Sequence, residues 1–179
     1  ADMPETSDSD FSWQEYVRRN NDELVATYGN LVHRVLTMTY RNFDGQIPEP
    51  GEQDVRTTKM MAQIDSTFIK VSDLLNRCKF KEAIRRAMQL AHDANRYLDF
   101  KSPWKTMDED KQQAATALWC TLNVVSALKT ITYPFIPFTS KKVHRLMGFG
   151  ELNETSEWHF QLVKPGQKLM EPEPIFKKL

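Results

Sequence analysis

At 179 residues with 40% hydrophobic side chains, the chain is long enough to bury one substantial core, and one domain is the default. Its 24 Lys and Arg balance 24 Asp and Glu, so the global charge neither announces nor excludes nucleic acid, and what matters for phosphate is a local basic face. Cys78 and Cys120 lack CxxC spacing, which excludes a zinc cluster and fits reduced thiols; no apolar run approaches the roughly 20 residues of a membrane span, and the acidic start ADMPETSDSD is unlike a signal peptide.

Six glycines and long proline-free stretches predict an all-α chain, an antiparallel bundle of about five helices. The first helix opens at Ser12, where Ser12 and Glu15 form an S-x-x-E capping box, and runs to about residue 40. Trp13, Val17, Leu24, Tyr28, Leu31, Val35 and Met38 recur along it at three- and four-residue steps and form one buried stripe. Gly45, Pro48, Pro50 and Gly51 break it. A second helix over about 53–76 aligns Met60, Ile64, Phe68, Val71 and Leu75. A third, from about residue 81, aligns Ile84, Ala87, Met88, Ala91 and Leu98 and stops at Pro103.

Thr106 and Glu109 form a second capping box that predicts the start of a fourth helix, carrying Ala114, Leu118, Val125, Leu128 and Ile131 until Pro134 and Pro137 end it. A fifth, shorter helix follows from Thr139 or Ser140 to Met147. From Gly148 onward the pattern changes. Trp158, Phe160 and Leu162 alternate like a short strand, and three prolines interrupt a polar tail, 149–179, that is expected to pack back on the body of the 11–148 bundle.

Catalytic constellations are missing: there is no GxSxG, P-loop or HExxH, and His33, His92, His144 and His159 have no ligand spacing. His33 and His92 read as solvated or hydrogen-bonded side chains. Three strings carry more information: FSWQEYVRRNNDELVATYGNLVHR (11–34), ANRYLDFKSPW (94–104) and YPFIPFTSKKVHRLMG (133–148).

The first string, with Asn21-Asp22-Glu23-Leu24 followed by Gly29-Asn30-Leu31-Val32-His33-Arg34, resembles the opening helix of the anticodon-binding domain of methionyl-tRNA synthetases. The second is similar to that family's N-x-Y-L/V-D-x-x-x-P-W segment. The third is similar to the P-F-x-P-x-x-S stretch shared by several class I synthetases, and the lead PETSDSDF looks like a connection out of a catalytic domain over residues 1–10. Resemblance covers about residues 4–179. The family's HIGH-like and KMSKS-like signatures are absent, and Lys59-Met60-Met61 is no substitute, so the ATP and methionine sites are expected upstream of residue 1.

Asn30 and Arg34 are four apart, one above the other on a helix edge with Thr27, Thr37 and Arg41; from spacing alone they are either solvated or edge groups that meet a base. The resemblance implies the second. Trp104, after Pro103, either closes the end of the core or offers an open face for an unstacked base; the resemblance implies stacking on the first anticodon base. Asp99 would orient Arg34, accept a base amino proton, or stand as a solvated charge. Lys141, Lys142 and Arg145 on the fifth helix, and Lys79 and Lys81 at a helix junction, suit either phosphate contacts or a solvated face.

The resemblance therefore implies a domain that binds the CAU anticodon of methionine tRNA, inactive on its own, from a cytoplasmic ATP-dependent methionine–tRNA ligase. Its partners would be methionine tRNA and the catalytic domain of the same chain, with no membrane. No cofactor is expected on this segment; ATP, and zinc where the family carries it, would belong to the catalytic part. The competing readings are the bundle of an isoleucyl, valyl, leucyl or cysteinyl sibling and a helical protein-binding scaffold.

Overall fold

A computed structural model describes residues 10–150 and 158–179. The connection expected over residues 1–10 lies, but for Asp10, outside the described residues. The elements, in order, are α1 (Trp13–Arg19), a π-helical segment (Asn20–Gly29), α2 (Asn30–Asn42), α3 (Val55–Asn76), α4 (Phe80–Lys101), α5 (Pro103–Glu109), α6 (Lys111–Ile131) and α7 (Pro137–Leu146). The all-α bundle is as the sequence predicts, with five long helical runs and the short α5.

The fold is organised around α6. Every residue of it except Lys111, Gln112, Gln113 and Thr130 is buried, and α2, α3, α4, α5 and α7 all pack on it. Its predicted single stripe is thus too narrow: a helix that is apolar all round must be covered all round. By length and composition α6 would suffice to cross a membrane, contrary to the reading that no run does, but 94% of its most apolar window is buried inside the protein. It is a core helix.

A helix buried on all faces must satisfy its own polar side chains. The Thr121 hydroxyl donates to the Ala117 carbonyl and the Asn123 amide to the Trp119 carbonyl. Asn123 then accepts from the Val163 N–H at 3.0 Å, and Ser126 donates to the Gln161 carbonyl, so α6 recruits the tail. Farther on, Leu169 N–H donates to Gly45 O, Ile47 N–H to Gln167 O and Met170 N–H to Leu146 O. Ile175 is buried, and Phe176 lies 6.0 Å from Tyr28, ring to ring.

Three local expectations are corrected. Trp158, Phe160 and Leu162 form no strand: Trp158 and Phe160 both pack on Phe68, at 5.6 and 5.7 Å, and the only pairing among the described residues is an isolated Gln46–Lys168 bridge. Thr106 lies inside α5; the cap of α6 is Asp110, whose carboxylate accepts from Gln113 N–H at 2.9 Å. Pro137 opens α7 as its first residue instead of closing the helix before it, a position where the missing N–H costs nothing.

The predicted first helix is also divided. Ser12 caps it, accepting from Glu15 N–H, but Glu15 turns to Arg18 and Arg19 instead of completing the box. The i→i+5 bonding of the π segment widens the turn and breaks the 3.6-residue phase, so Trp13 does not join the stripe of Tyr28, Leu31 and Val35. It is 72% exposed, and α1 has no buried residue.

The Asn123–Val163 bond should be the anchor of the tail. Asn123→Ala is expected to lower stability by about 1–3 kcal/mol, since the Val163 N–H is left buried without an acceptor, and to speed protease cleavage within 158–179; denaturant unfolding with a cleavage time course checks both.

Candidate nucleic-acid interface

At the end of the bundle where α4 stops, three elements converge. Leu98 O accepts the N–H of Ser102, which adopts the left-handed conformation at φ +45°, and the Ser102 hydroxyl donates to Asp99 O at 2.6 Å. This strained residue reverses the chain into the buried Pro103, the first residue of α5, whose fixed φ suits a helix start. Trp104 is thereby carried back toward α2.

There the Arg34 Nη2 donates to the Asp99 Oδ1 at 2.8 Å, and the Arg34 Cζ sits 5.1 Å from the centre of the Trp104 ring. The Arg34 side chain is 28% exposed and Trp104 43%. By comparison Arg56 lies on Phe100 at 3.7 Å, so Arg34 borders its ring at a looser spacing. The Asp99 side chain is 60% exposed, and Arg34 Nη2 to Asp99 Oδ1 is the one hydrogen bond given for the Arg34 guanidinium among the described residues. The result is a donor-and-acceptor edge beside an open aromatic face.

The scaffold under this edge is pinned by Asn95, whose amide donates to the Thr27 carbonyl across to the π segment and to Ala91 O. Asn95 stands in the string ANRYLDFKSPW and received no role from sequence, since a bond to a backbone carbonyl 68 residues away leaves no local pattern. Thr27 is buried and donates to Asp22 O.

Asn30 is exposed, and its side chain has no hydrogen-bond partner among the described residues, its backbone N–H donating to Thr27 O and Val25 O. It borders a groove of about 390 Å³ with Gly29, His33, Ile175, Phe176 and Lys178, adjacent to the Arg34 edge but not joined to it by a bond. His33 and the tail residues of this groove were missed by sequence reasoning, because a tail that returns from 140 residues away leaves no local pattern. Gly29 allows the return: a Cβ there would meet the Phe176 ring at 3.1 Å.

Lys142 and Arg145 are drawn to the tail, Lys142 donating to Pro174 O at 2.9 Å and pairing with Glu173, and Arg145 pairing with the same carboxylate. Lys141 is exposed, as is Lys79; Lys81 is half-buried. Among the described residues no group of three His, Cys, Asp or Glu could hold a metal ion. Burial pushes the Cys120 thiol up to about 12, leaving it inert; Cys78 is exposed.

A family model described as the anticodon binding domain of methionyl tRNA ligase matches residues 47–179, and one described as tRNA synthetases class I (M) matches residues 1–36. A methionine–tRNA ligase of Dehalococcoides mccartyi is 49% identical over all of this chain, which covers 32% of that protein. One from Pyrococcus abyssi is 42% identical over 99% of the chain, covering 24% of its length. The methionyl-tRNA synthetase of Mycobacterium tuberculosis in its free state superposes with a TM-score of 0.86 at 25% identity, over 94% of this chain and 35% of that one. The chain thus spans about a third or less of these relatives.

If the Trp104 ring is a surface platform and not a core plug, Trp104→Ala should keep full helix content and lose less than about 1 kcal/mol of stability. Trp119→Ala, at a buried site on α6, should lose about 3–5 kcal/mol. Paired thermal melts followed by circular dichroism distinguish the two.

Proposed function

The chain belongs to the anticodon-binding-domain family of methionyl-tRNA ligases, and from this membership and the edge built by Arg34, Asp99 and Trp104 we propose that it reads the CAU anticodon of methionine tRNA. The family model and the relatives named above all concern methionine, which favours this reading over a sibling synthetase or a scaffold.

The single observation that carries it is the Arg34–Asp99 pair beside the open Trp104 ring. Cytosine presents two acceptors, O2 and N3, beside the N4 amino donor. Arginine offers only donors and a carboxylate only acceptors. A guanidinium held 2.8 Å from a carboxylate oxygen therefore offers donors next to an acceptor, the complement of that edge. Uracil has a proton on N3 and an acceptor at position 4, so a donor would meet a donor and a carboxylate would meet a carbonyl. The base plane would stack on Trp104, which fixes its height relative to the pair.

Asn30 would contact the same or the next nucleotide from the groove at its side. Lys141, beyond the tail, is the best placed of the three α7 cations for a phosphate, with Lys142 and Arg145 already engaged by Glu173. Methionine activation with ATP, and any zinc, would belong to a catalytic part outside these residues, in a cytoplasmic ligase; this segment would select the tRNA and not perform the ligation.

Arg34→Ala should weaken binding of a CAU stem-loop by about 1–3 kcal/mol and shrink its preference over a UAU stem-loop. A nonspecific phosphate contact would instead lower both affinities alike and flatten the salt dependence. Titrating both loops with wild type and variant at two salt concentrations decides it; an unchanged CAU-to-UAU ratio removes Arg34 from base reading.

A further inference from the structure

One face of α4 carries cations that base reading does not use. At the α-helical period, Lys81, Arg85, His92, Arg96 and Asp99 fall within an arc of about 60° and form one line along the helix. Arg85, His92 and Arg96 are exposed and Lys81 is half-buried. The line ends at the Asp99 carboxylate that holds Arg34. From Asp99, His92 stands roughly 10 Å down the helix, Arg85 roughly 21 Å and Lys81 roughly 27 Å. Lys79, exposed in the turn before α4, extends it.

The carboxylates of α4 are already engaged. Glu82 pairs with Arg86 and Asp99 with Arg34. Asp93 accepts from Gln63 at 2.6 Å and Gln89 at 3.0 Å as well as from Arg96. The Arg96 side chain is 78% exposed, so it can turn to an outside anion while two amides still hold Asp93. Arg85 and His92 have no side-chain partner among the described residues. In a chain of zero net charge, α4 thus presents the local basic face that phosphate attraction needs.

The surroundings of the reading edge give the direction. Beyond Trp104, α5 runs into Asp108, Glu109 and Asp110, all exposed, which repel phosphate. On α7, Lys142 and Arg145 are taken by Glu173. Away from the edge along α4 the charge is positive. An anticodon loop is closed by a base-paired stem, and a double-stranded RNA offers phosphates and 2′-hydroxyls, which proteins read by shape. Arginine and lysine, donors only, and an imidazole N–H match those acceptors.

We propose that Arg85, His92 and Arg96, continued by Lys81 and Lys79, form a track for the sugar–phosphate backbone of the anticodon stem, one strand of which lies along α4. This rests on the reading of the Arg34–Asp99–Trp104 edge as the seat of an anticodon base. The track positions and does not specify: contacts to the backbone set the register of the loop over Trp104 and carry no base information. Because the track and Asp99 share one helix, the height of the stem on α4 fixes which nucleotide reaches the edge.

RNA titrations of the 179-residue chain, which closes its own core around α6, test this. Arg85→Gln combined with Arg96→Gln keeps good helix formers at both exposed positions, and circular dichroism checks the helix content. The double variant should bind CAU and UAU stem-loops at least about tenfold more weakly at low salt, both alike, and lower the slope of log affinity against log salt by about 2, one per phosphate contact. A linear CAU oligonucleotide without a stem should bind within about twofold of wild type. Lys59→Gln combined with Lys70→Gln removes the same charge from exposed positions of α3 and should leave stem-loop affinity within about twofold. Unchanged stem-loop affinity in the α4 variant overturns the proposal. So does an equal loss for stem-loop and linear RNA, since the arginines would then hold the loop, or an equal loss in the α3 variant, since net charge would then be the cause. Equal CAU and UAU affinity in the wild type, with the α4 effect confined to stem-loops, supports the track and counts against base reading alone.

Discussion

The burial of α6 on every side is the constraint from which the rest follows. A helix of this length with apolar residues around its whole circumference leaves no face for solvent, so α2, α3, α4, α5 and α7 must close around it. Its few polar side chains then govern what else is required. Asn123 and Ser126 bond to backbone at Val163 and Gln161, which makes the tail part of the core instead of an appendage. The same tail continues to Asn20 and Asn21, whose amides donate to the carbonyls of Lys177 and Leu179, and so braces the π segment from outside while Asn95 braces it from within.

That bracing matters because the π segment sets the phase of α2. The residues it hands on, Asn30 and Arg34, stand at the start of a helix whose rotation is fixed from two sides, and α4 is held beside it. At the other end of α3, Asp54 caps the helix and pairs with Lys101 at 2.6 Å; Lys101 and the Thr57 amide hold its carboxyl well below the usual carboxylate range. Lys101 is two residues past Asp99. The chain entering the turn through Ser102 and Pro103 is therefore anchored twice, at Asp99 and at Lys101, and the Arg34–Asp99–Trp104 edge is positioned before any ligand arrives, which lowers the cost of ordering it on binding.

Much of this was legible because periodicity reports burial. The stripes of Met60, Ile64, Phe68 and Val71, and of Ala87, Met88, Ala91 and Leu98, lie inward as their spacing predicts. Periodicity failed where the helix left its standard period, at the π segment, and where one face was not the whole story, at α6. The cap of α6 was read as Thr106-x-x-Glu109, but Asp110, which directly precedes the helix, caps it instead. Alternation over Trp158 to Leu162 came from two rings gripping Phe68, not from a strand partner. Of the site, the spacing of Asn30 and Arg34 and the reading of Asp99 as orienting Arg34 were visible, but the return of Trp104 to that pair depends on the left-handed Ser102, for which a serine before proline gives no signal.

The central claim is that Trp104, edged by Arg34 and Asp99, is where an anticodon base lies. Four tryptophan indole N–H signals, from Trp13, Trp104, Trp119 and Trp158, can be followed by proton–nitrogen NMR and assigned by Trp→Phe substitution. On titration with a CAU stem-loop the Trp104 signal should move strongly, with smaller movement for a UAU loop and none for Trp119 in the core. Movement of Trp13 or Trp158 while Trp104 stays fixed would contradict the account.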